Sequence, residues 1–273
     1  MKKRLRLEIK SKSKKEKNLE LNKIYKSVLI TGGAQRIGES IACYLANNGL
    51  NIAIQFNKSQ KKAQELKNRF KNKKTKFSIY KFDFEKNKNI SKFYKNIINE
   101  FGHIDILINN ASTFDFDTIS SSNLKLFEKH INVNLRAPFF LSQNFVKHYK
   151  KNGLIINIVD QRVNNITPYF TSYTVSKVAL AALTKSLALS LAPTIRVNAI
   201  SPGPTLMSKN QNLKQFRKQI LRTPLKKQVK LSEINDAISF IINNQSVTGE
   251  TLTLDSGQSL GWAHSKSKIF KTD

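Results

Sequence analysis

From Lys26 to about Leu260 the chain alternates between two patterns, and that alternation limits its fold more than any other feature. Short runs rich in β-branched and aromatic residues give way to longer stretches of helical period. The strand candidates are Ser27–Thr31, Asn51–Phe56, Lys76–Phe82, Ile104–Asn109, Gly153–Val159, Arg196–Ser201 and Thr251–Leu254. Between them lie helical stretches near Ile37–Asn48, Gln60–Asn72, Asn89–Phe101, Asn123–Lys150, Thr171–Leu191 and Ser232–Asn243. Strands that alternate with helices pair in parallel, and the crossover helices cover both faces of the sheet. The run Leu154-Ile155-Ile156-Asn157-Ile158-Val159 is almost wholly apolar, as a strand buried on both faces requires. The reading is a doubly wound parallel sheet in three α/β/α layers. It forms one domain over 26–262, with a basic extension at 1–25 and a tail at 263–273. Pro204–Lys230 breaks the rhythm where a substrate lid fits, and its Lys and Gln content suggests mobility.

A net charge of +29 raises the question of a nucleic-acid partner. Only nine of the 47 basic residues are Arg, and Asn and Ile are abundant, which is the mark of A/T-rich codons. The charge is also spread out: residues 1–27 hold eleven Lys/Arg against three Glu. Nucleic acid is therefore not an expected partner. Cys43 is alone, so no internal disulfide forms, and it reads as a small core residue. No metal is expected. No apolar run approaches the roughly 18–20 residues of a membrane span, so no membrane association is expected. The Lys-rich start lacks the apolar stretch of a signal peptide. The expected location is cytoplasmic.

The first strand runs into Thr31-Gly32-Gly33-Ala34-Gln35-Arg36-Ile37-Gly38 and then a helix. A glycine turn placed there lets backbone approach a pyrophosphate, and the helix start offers free N–H groups and a positive dipole end. This makes the sheet Rossmann-type. An NAD site wants an Asp or Glu about 20 residues beyond the glycines, for the ribose 2′-hydroxyl. No acidic residue occurs between Ser40 and Gln64. Asn57, Lys58 and Ser59 close the second strand instead and offer donors and positive charge to a 2′-phosphate. The expected cofactor is NADPH.

The spacing Thr-Gly-x-x-x-Arg-x-Gly resembles the short-chain dehydrogenase/reductase family, in which the middle position is usually Gly. Arg36 in that place resembles the pteridine reductase branch. With a negative φ its guanidinium can give paired donors to a phosphate. The resemblance covers about Lys26 to Trp262. It implies contacts to the cofactor from Gly32, Arg36, Ile37 and Gly38, and from Asp83 and Phe84 after the third strand. It implies further contacts from Asn110, Ala111 and Ser112 after the fourth strand, and from Pro202 and Gly203 after the sixth. It also carries the expectation of a homo-oligomer, a tetramer.

Tyr173 and Lys177 lie four apart, on one face of a helix. A nearby ammonium lowers a phenol pKa towards working pH, which suits proton transfer. By resemblance they are the family's catalytic Tyr and Lys, both also touching cofactor, and Asn134 is the Asn that kinks the fourth helix. Thirteen residues before Tyr173 most of the family has Ser; this chain has Asp160. An ionised carboxylate repels a developing alkoxide and suits a substrate with N–H groups. Pteridine reductases carry Asp there, and Asn110-Ala111-Ser112-Thr113-Phe114 resembles their Asn-Ala-Ser-x-Phe, whose Phe stacks on a pterin. The implied substrate contacts are Ser112, Phe114, Asp160 and Tyr173, with Arg162 at substrate or lid. The expected function is NADPH-dependent reduction of a dihydropterin-like substrate, in the style of dihydromonapterin reductases. The alternatives are a carbonyl reductase, such as a 3-oxoacyl-carrier-protein reductase, and a non-catalytic NADP(H) sensor or basic nucleic-acid binder.

Overall fold

A computed structural model describes residues 24–209 and 211–261. The extension up to residue 23 and the tail from Trp262 lie outside the described residues. Tyr25, which the sequence places in the extension, is buried in the core.

Seven parallel strands form one sheet in the order β3-β2-β1-β4-β5-β6-β7. They are β1 (Ser27–Thr31), β2 (Asn51–Phe56), β3 (Phe77–Lys81), β4 (Ile106–Asn109), β5 (Gly153–Ile158), β6 (Ile195–Pro202) and β7 (Thr251–Leu254). β1 pairs with β2 on one side and β4 on the other, with Val28 opposite both Ile52 and Ile106. The strand order reverses there, and this opens a crevice at the carboxyl ends of the strands. Alternate side chains point to opposite faces. Ile30, Ile52, Ile54 and Ile156 therefore join one core layer, and Leu29, Leu107, Ile155 and Val197 the other.

The helices are α1 (Arg36–Asn47), α2 (Gln60–Arg69), α3 (Ile90–Phe101), α4 (Leu124–Ile131), α5 (Ala137–His148), α6 (Thr171–Leu191), α7 (Leu213–Leu221) and α8 (Leu231–Asn243). The single helix expected over Asn123–Lys150 is divided. A π-helical turn, Asn132–Arg136, separates α4 from α5. The turn contains Asn134, where the resemblance places a kink in the helix. The lid segment also carries regular structure. It contains α7, closed at its start by a reciprocal Asn212–Gln215 cap and anchored by buried Phe216. α6 is long and apolar enough to cross a membrane by length and composition. It instead packs against β6 through a buried stripe that includes Tyr173, Lys177, Leu180, Thr184 and Ala188.

Buried polar groups pin the layers together. Asn109 and Asn157 are register partners on β4 and β5, and Asn109 donates to Asn157 Oδ1 at 2.8 Å. Asn157 donates in turn to Thr184 of α6 at 2.9 Å. At the far edge, Arg196 of β6 donates to the carbonyls of Val247 (2.8 Å), Ile241 (2.9 Å) and Asn244 (3.2 Å). Ile241 lies in the last turn of α8, where helix carbonyls have no partner of their own. Arg196→Met leaves these acceptors without that donor. It is expected to lose about 2–3 kcal/mol of stability, seen as a lower urea midpoint at unchanged slope.

Candidate active site

The glycine turn follows β1 at the crevice. Gly32 has φ +61°, and a Cβ there would sit 2.9 Å from the Ala111 Cα. A Cβ on Gly38 would run into the Gly32 carbonyl and lie 2.6 Å from Asn110 Nδ2. Both positions therefore need glycine, because β4 and α1 close tightly on the turn. The Asn110 amide donates to Thr31 O (2.9 Å) and Gly32 O (3.1 Å). The backbone N–H groups of Asn110 and Ala111 both reach Thr31 Oγ1 at 2.9 Å. Gln55 of β2 completes the brace, accepting from Gly32 N at 2.9 Å and donating to Phe82 O at 2.6 Å. The sequence reading missed Gln55; its signal is a lone amide in an apolar strand. Ile37 packs partly on the core and Gly38 is buried. Gln35 makes no side-chain cap, so the first N–H groups of α1 face the crevice uncapped.

Arg36 corrects an expectation. Its φ is +58°, left-handed rather than negative. That is the conformation in which glycine is at ease, and it costs a side-chain-bearing residue about 1–2 kcal/mol. Its guanidinium donates to Met207 O (2.8 Å) and Leu206 O (3.3 Å), at the root of the lid segment.

A cavity of about 260 Å³ lies beside the turn. Gly32, Gln35, Asn57, Lys58, Ser59, Asp83, Ala111 and Ser112 line it. The structure thus brings the close of β2 to the glycine turn. The donors there suit a phosphate-bearing nucleotide, and β2 ends without a carboxylate. Asp83 is occupied locally, accepting from Glu85 N at 2.9 Å. Phe84 also lines the cavity, but its ring belongs to the core, packed on Phe82 and Phe93. This limits the side-chain contact expected of it. Pro202 ends β6 and Gly203 follows it, and neither lines the cavity; Gly203 N donates to Leu254 O at 2.9 Å. A larger cavity of about 570 Å³, between α2 and β3, is ringed by lysines and holds none of the motif residues.

The second half of the site is assembled from β5, α6 and the π turn. Tyr173 Oη donates to Asp160 Oδ2 at 3.0 Å. Lys177 Nζ donates to Ile158 O at 2.8 Å and stands 5.9 Å from the Tyr173 ring centroid. Asn134, buried in the π turn, grips Thr113 through both its N–H (2.9 Å) and its carbonyl (3.1 Å). It also accepts from Ser112 Oγ at 3.2 Å and donates to Ser176 Oγ at 3.0 Å. A π turn sets one extra residue into the coil, and such bulges gather at functional sites. Phe114 stacks on Phe170 at 4.3 Å, nearly parallel at 10°, and meets Tyr173 edge-on at 4.7 Å. The Arg162 guanidinium stands beside this stack, 5.3 and 5.0 Å from the Phe114 and Phe170 ring centroids, and pairs with Asp160 at 3.2 Å.

The electrostatics also correct the sequence reading. Burial pushes the Tyr173 phenol well above its ordinary value, and the facing Asp160 pushes it further. Lys177 does not draw it down as expected, since its ammonium is turned to the Ile158 carbonyl. Burial lowers Lys177 itself to about 8, against an opposing pull from Asp160. Tyr173 therefore rests as a proton-holding phenol.

Together, the reversed strand order, the braced glycine turn and the Tyr–Lys pair define a Rossmann-type oxidoreductase site. The family model for short chain dehydrogenases matches residues 26–218. The chain belongs to that family and is a short-chain oxidoreductase. A solved structure from Brucella canis, "FolM Alternative dihydrofolate reductase 1 … complexed with NADP", is similar at 36% identity and TM-score 0.85. It covers 89% of this chain and 98% of its own. An oxidoreductase of Thermotoga maritima is 33% identical over 85% of this chain and 96% of its own length. The 3-oxoacyl-[acyl-carrier-protein] reductase FabG of Buchnera aphidicola is 32% identical over the same shares.

The buried ammonium of Lys177 has a stability consequence. Its folded value lies below the ordinary 10.5, so the unfolded chain binds the extra proton. The penalty is full below about pH 8 and fades as pH rises to 10.5. Lys177→Met is expected to be more stable than the parent at pH 7, with the difference shrinking between pH 8 and 10. Urea midpoints across that range check this, and an unchanged pH profile in the variant would refute it.

Proposed function

We propose that this oxidoreductase uses NADPH to reduce a dihydropterin-like substrate. One observation carries the reading: Asp160, not a hydroxyl residue, receives the Tyr173 hydrogen bond at the end of β5. A carbonyl reductase needs donors where negative charge develops on oxygen. A carboxylate there is an acceptor, and it fits the ring N–H and amino groups of a pterin. The Brucella canis neighbour, described as an alternative dihydrofolate reductase with NADP, supports both the cofactor and the substrate class. The 3-oxoacyl reductase of Buchnera aphidicola keeps carbonyl reduction as the second reading.

In this reading the glycine turn and the start of α1 hold the pyrophosphate, and Asn57, Lys58 and Ser59 hold the 2′-phosphate. Lys177 reaches the nicotinamide ribose. NADPH, when bound, supplies the hydride. Phe114 offers a flat ring on which a planar heterocycle stacks. Asp160 orients the substrate through its N–H groups, with Arg162 balancing the carboxylate charge. Tyr173 keeps its proton until the reaction and donates it to the substrate ring nitrogen, with the Arg162 guanidinium and the Ser112 hydroxyl favouring the phenolate left behind. Asn134 holds the Ser112–Thr113 segment that carries Phe114. The same reading includes self-association, a tetramer by family expectation. Leu124 and Phe127 of α4 and Phe139 and Phe140 of α5 are exposed apolar residues suited to it, and light scattering gives the mass.

The cofactor reading is tested by fluorescence titration. NADPH is expected to bind more tightly than NADH, and Lys58→Asp to weaken NADPH alone by about ten- to a hundredfold. Equal affinities in the parent would reject it.

The substrate reading is tested by following NADPH absorbance with 7,8-dihydrobiopterin, dihydrofolate and an acetoacetyl thioester. Asp160→Ser and Asp160→Asn are each expected to lower pterin turnover by roughly 10²–10⁴ while NADPH binding holds. Full pterin turnover in Asp160→Ser would leave carbonyl reduction as the better account.

A further inference from the structure

A second buried polar chain lies beside Tyr173, and no step above uses it. His130 is fully buried in the last turn of α4, one helical turn before Asn134. Its Nε2 accepts the backbone N–H of Asp115 at 3.2 Å. A ring nitrogen that accepts carries no proton, so the proton of the neutral ring is on Nδ1. Nδ1 faces Ser172 Oγ at 2.6 Å, and Ser172 Oγ passes the chain on to Asp117 Oδ2 at 2.5 Å. Asp117, also buried, takes the Ser172 N–H and Ser122 Oγ as well. Its carbonyl accepts from Phe170 N at 2.7 Å. The His130 ring meets the Tyr173 ring edge-on at 5.9 Å.

The topology of these bonds is informative. Phe114 lies between Thr113 and Asp115. Asn134 grips Thr113, and His130 grips Asp115, from one face of the same helical stretch. Ser172 immediately precedes Tyr173. The chain therefore fixes the aromatic shelf and the phenol to one another.

We infer that His130, with Ser172 and Asp117, is a positioning device that sets the Phe114 ring against the Tyr173 hydroxyl and so determines how a flat substrate is held for proton transfer. His130 touches neither cofactor nor substrate; it acts through the Asp115 amide and Ser172. Burial lowers its pKa, against Asp115 and Asp117 and with Lys129, which keeps the ring neutral and the acceptor open. The geometry stands on its own, but the effect on substrate rests on the shelf role given to Phe114 above.

The test combines a double-mutant cycle with a readout that does not depend on turnover. His130→Leu and Ser172→Ala are expected to raise KM for 7,8-dihydrobiopterin at least roughly tenfold, with the NADPH Kd within about twofold by fluorescence. His130→Gln, which keeps an acceptor for the Asp115 amide, is expected to recover part of that loss. In a Phe114→Ala background, His130→Leu is expected to add nothing further. Fully additive effects, or an equal loss of NADPH affinity, would overturn the inference. Should His130→Leu fail to fold, Ser172→Ala carries the cycle. Nitrogen NMR of labelled histidine is expected to show the Nδ1–H form near neutral pH. Asp115 amide exchange is expected to speed up in His130→Leu but not in Phe114→Ala. An Nε2–H ring, or unchanged exchange, would overturn the clamp itself. A parent enzyme inactive on dihydrobiopterin would instead sink the substrate reading, leaving the NMR arm to judge the clamp.

Discussion

The sheet is buried on both faces, and the rest of the architecture follows from that burial. Strand residues from Val28 to Ile30, Ile106 to Ile108 and Leu154 to Ile156 have no exposed surface. Polar groups on such strands need partners inside the protein, because an unpaired one costs several times what a pair contributes. The Asn109–Asn157–Thr184 chain pairs the Asn157 amide on both sides and ties β4, β5 and α6 to one register, though Asn109 Oδ1 is left without a partner. Tyr173 and Lys177 ride on the same helix. Their position relative to Asp160, at the open end of β5, is thus inherited from hydrogen bonds deep in the sheet. The dry faces also leave only the carboxyl ends of the strands for chemistry. The glycine turn, the Asp–Tyr pair and the Phe114 loop all gather there.

Burial explains the electrostatics of the site too. Tyr173 and Lys177 are both enclosed, so each favours its neutral form, the phenol by rising and the amine by falling. The Asp160–Arg162 pair sits where the enclosure opens. It keeps one negative and one positive group within reach of an incoming ligand without burying either alone, which would be far more costly.

The strands and most helices are legible in the sequence because period and burial agree there. All seven strand candidates correspond to observed strands, with ends shifted by a residue or two. The motif residues are legible as well, since glycine turns and i, i+4 pairs are short-range patterns. What escapes is set by the third dimension. The apolar period alone does not mark the π turn at Asn132–Arg136, although the Asn134 motif places a kink there; its π geometry is what the sequence leaves out. The positive φ of Arg36 stands where the motif usually has Gly, but the ties of its guanidinium to the lid root join residues 170 and 171 positions apart. The direction of the Tyr173 shift depends on where the Lys177 amine points, and four-residue spacing does not fix that. His130 reads as one more residue of an amphipathic helix until Asp115 and Ser172, 15 and 42 positions away, are folded against it.

Arg36 and Phe170 share a backbone conformation that their side chains resist, with φ of +58° and +59°. One stands at the glycine turn, tied to the lid root; the other stacks on Phe114, three residues before Tyr173. To anyone engineering heat resistance into this chain, both look like defects, and glycine at either position is the obvious repair. The repair at 36 would cut the lid root loose from the turn, and the repair at 170 would strip the backing ring from Phe114. Hardening this fold therefore has to proceed elsewhere, at a site such as the left-handed Asn152, which precedes β5 at the end of the strand opposite Asp160.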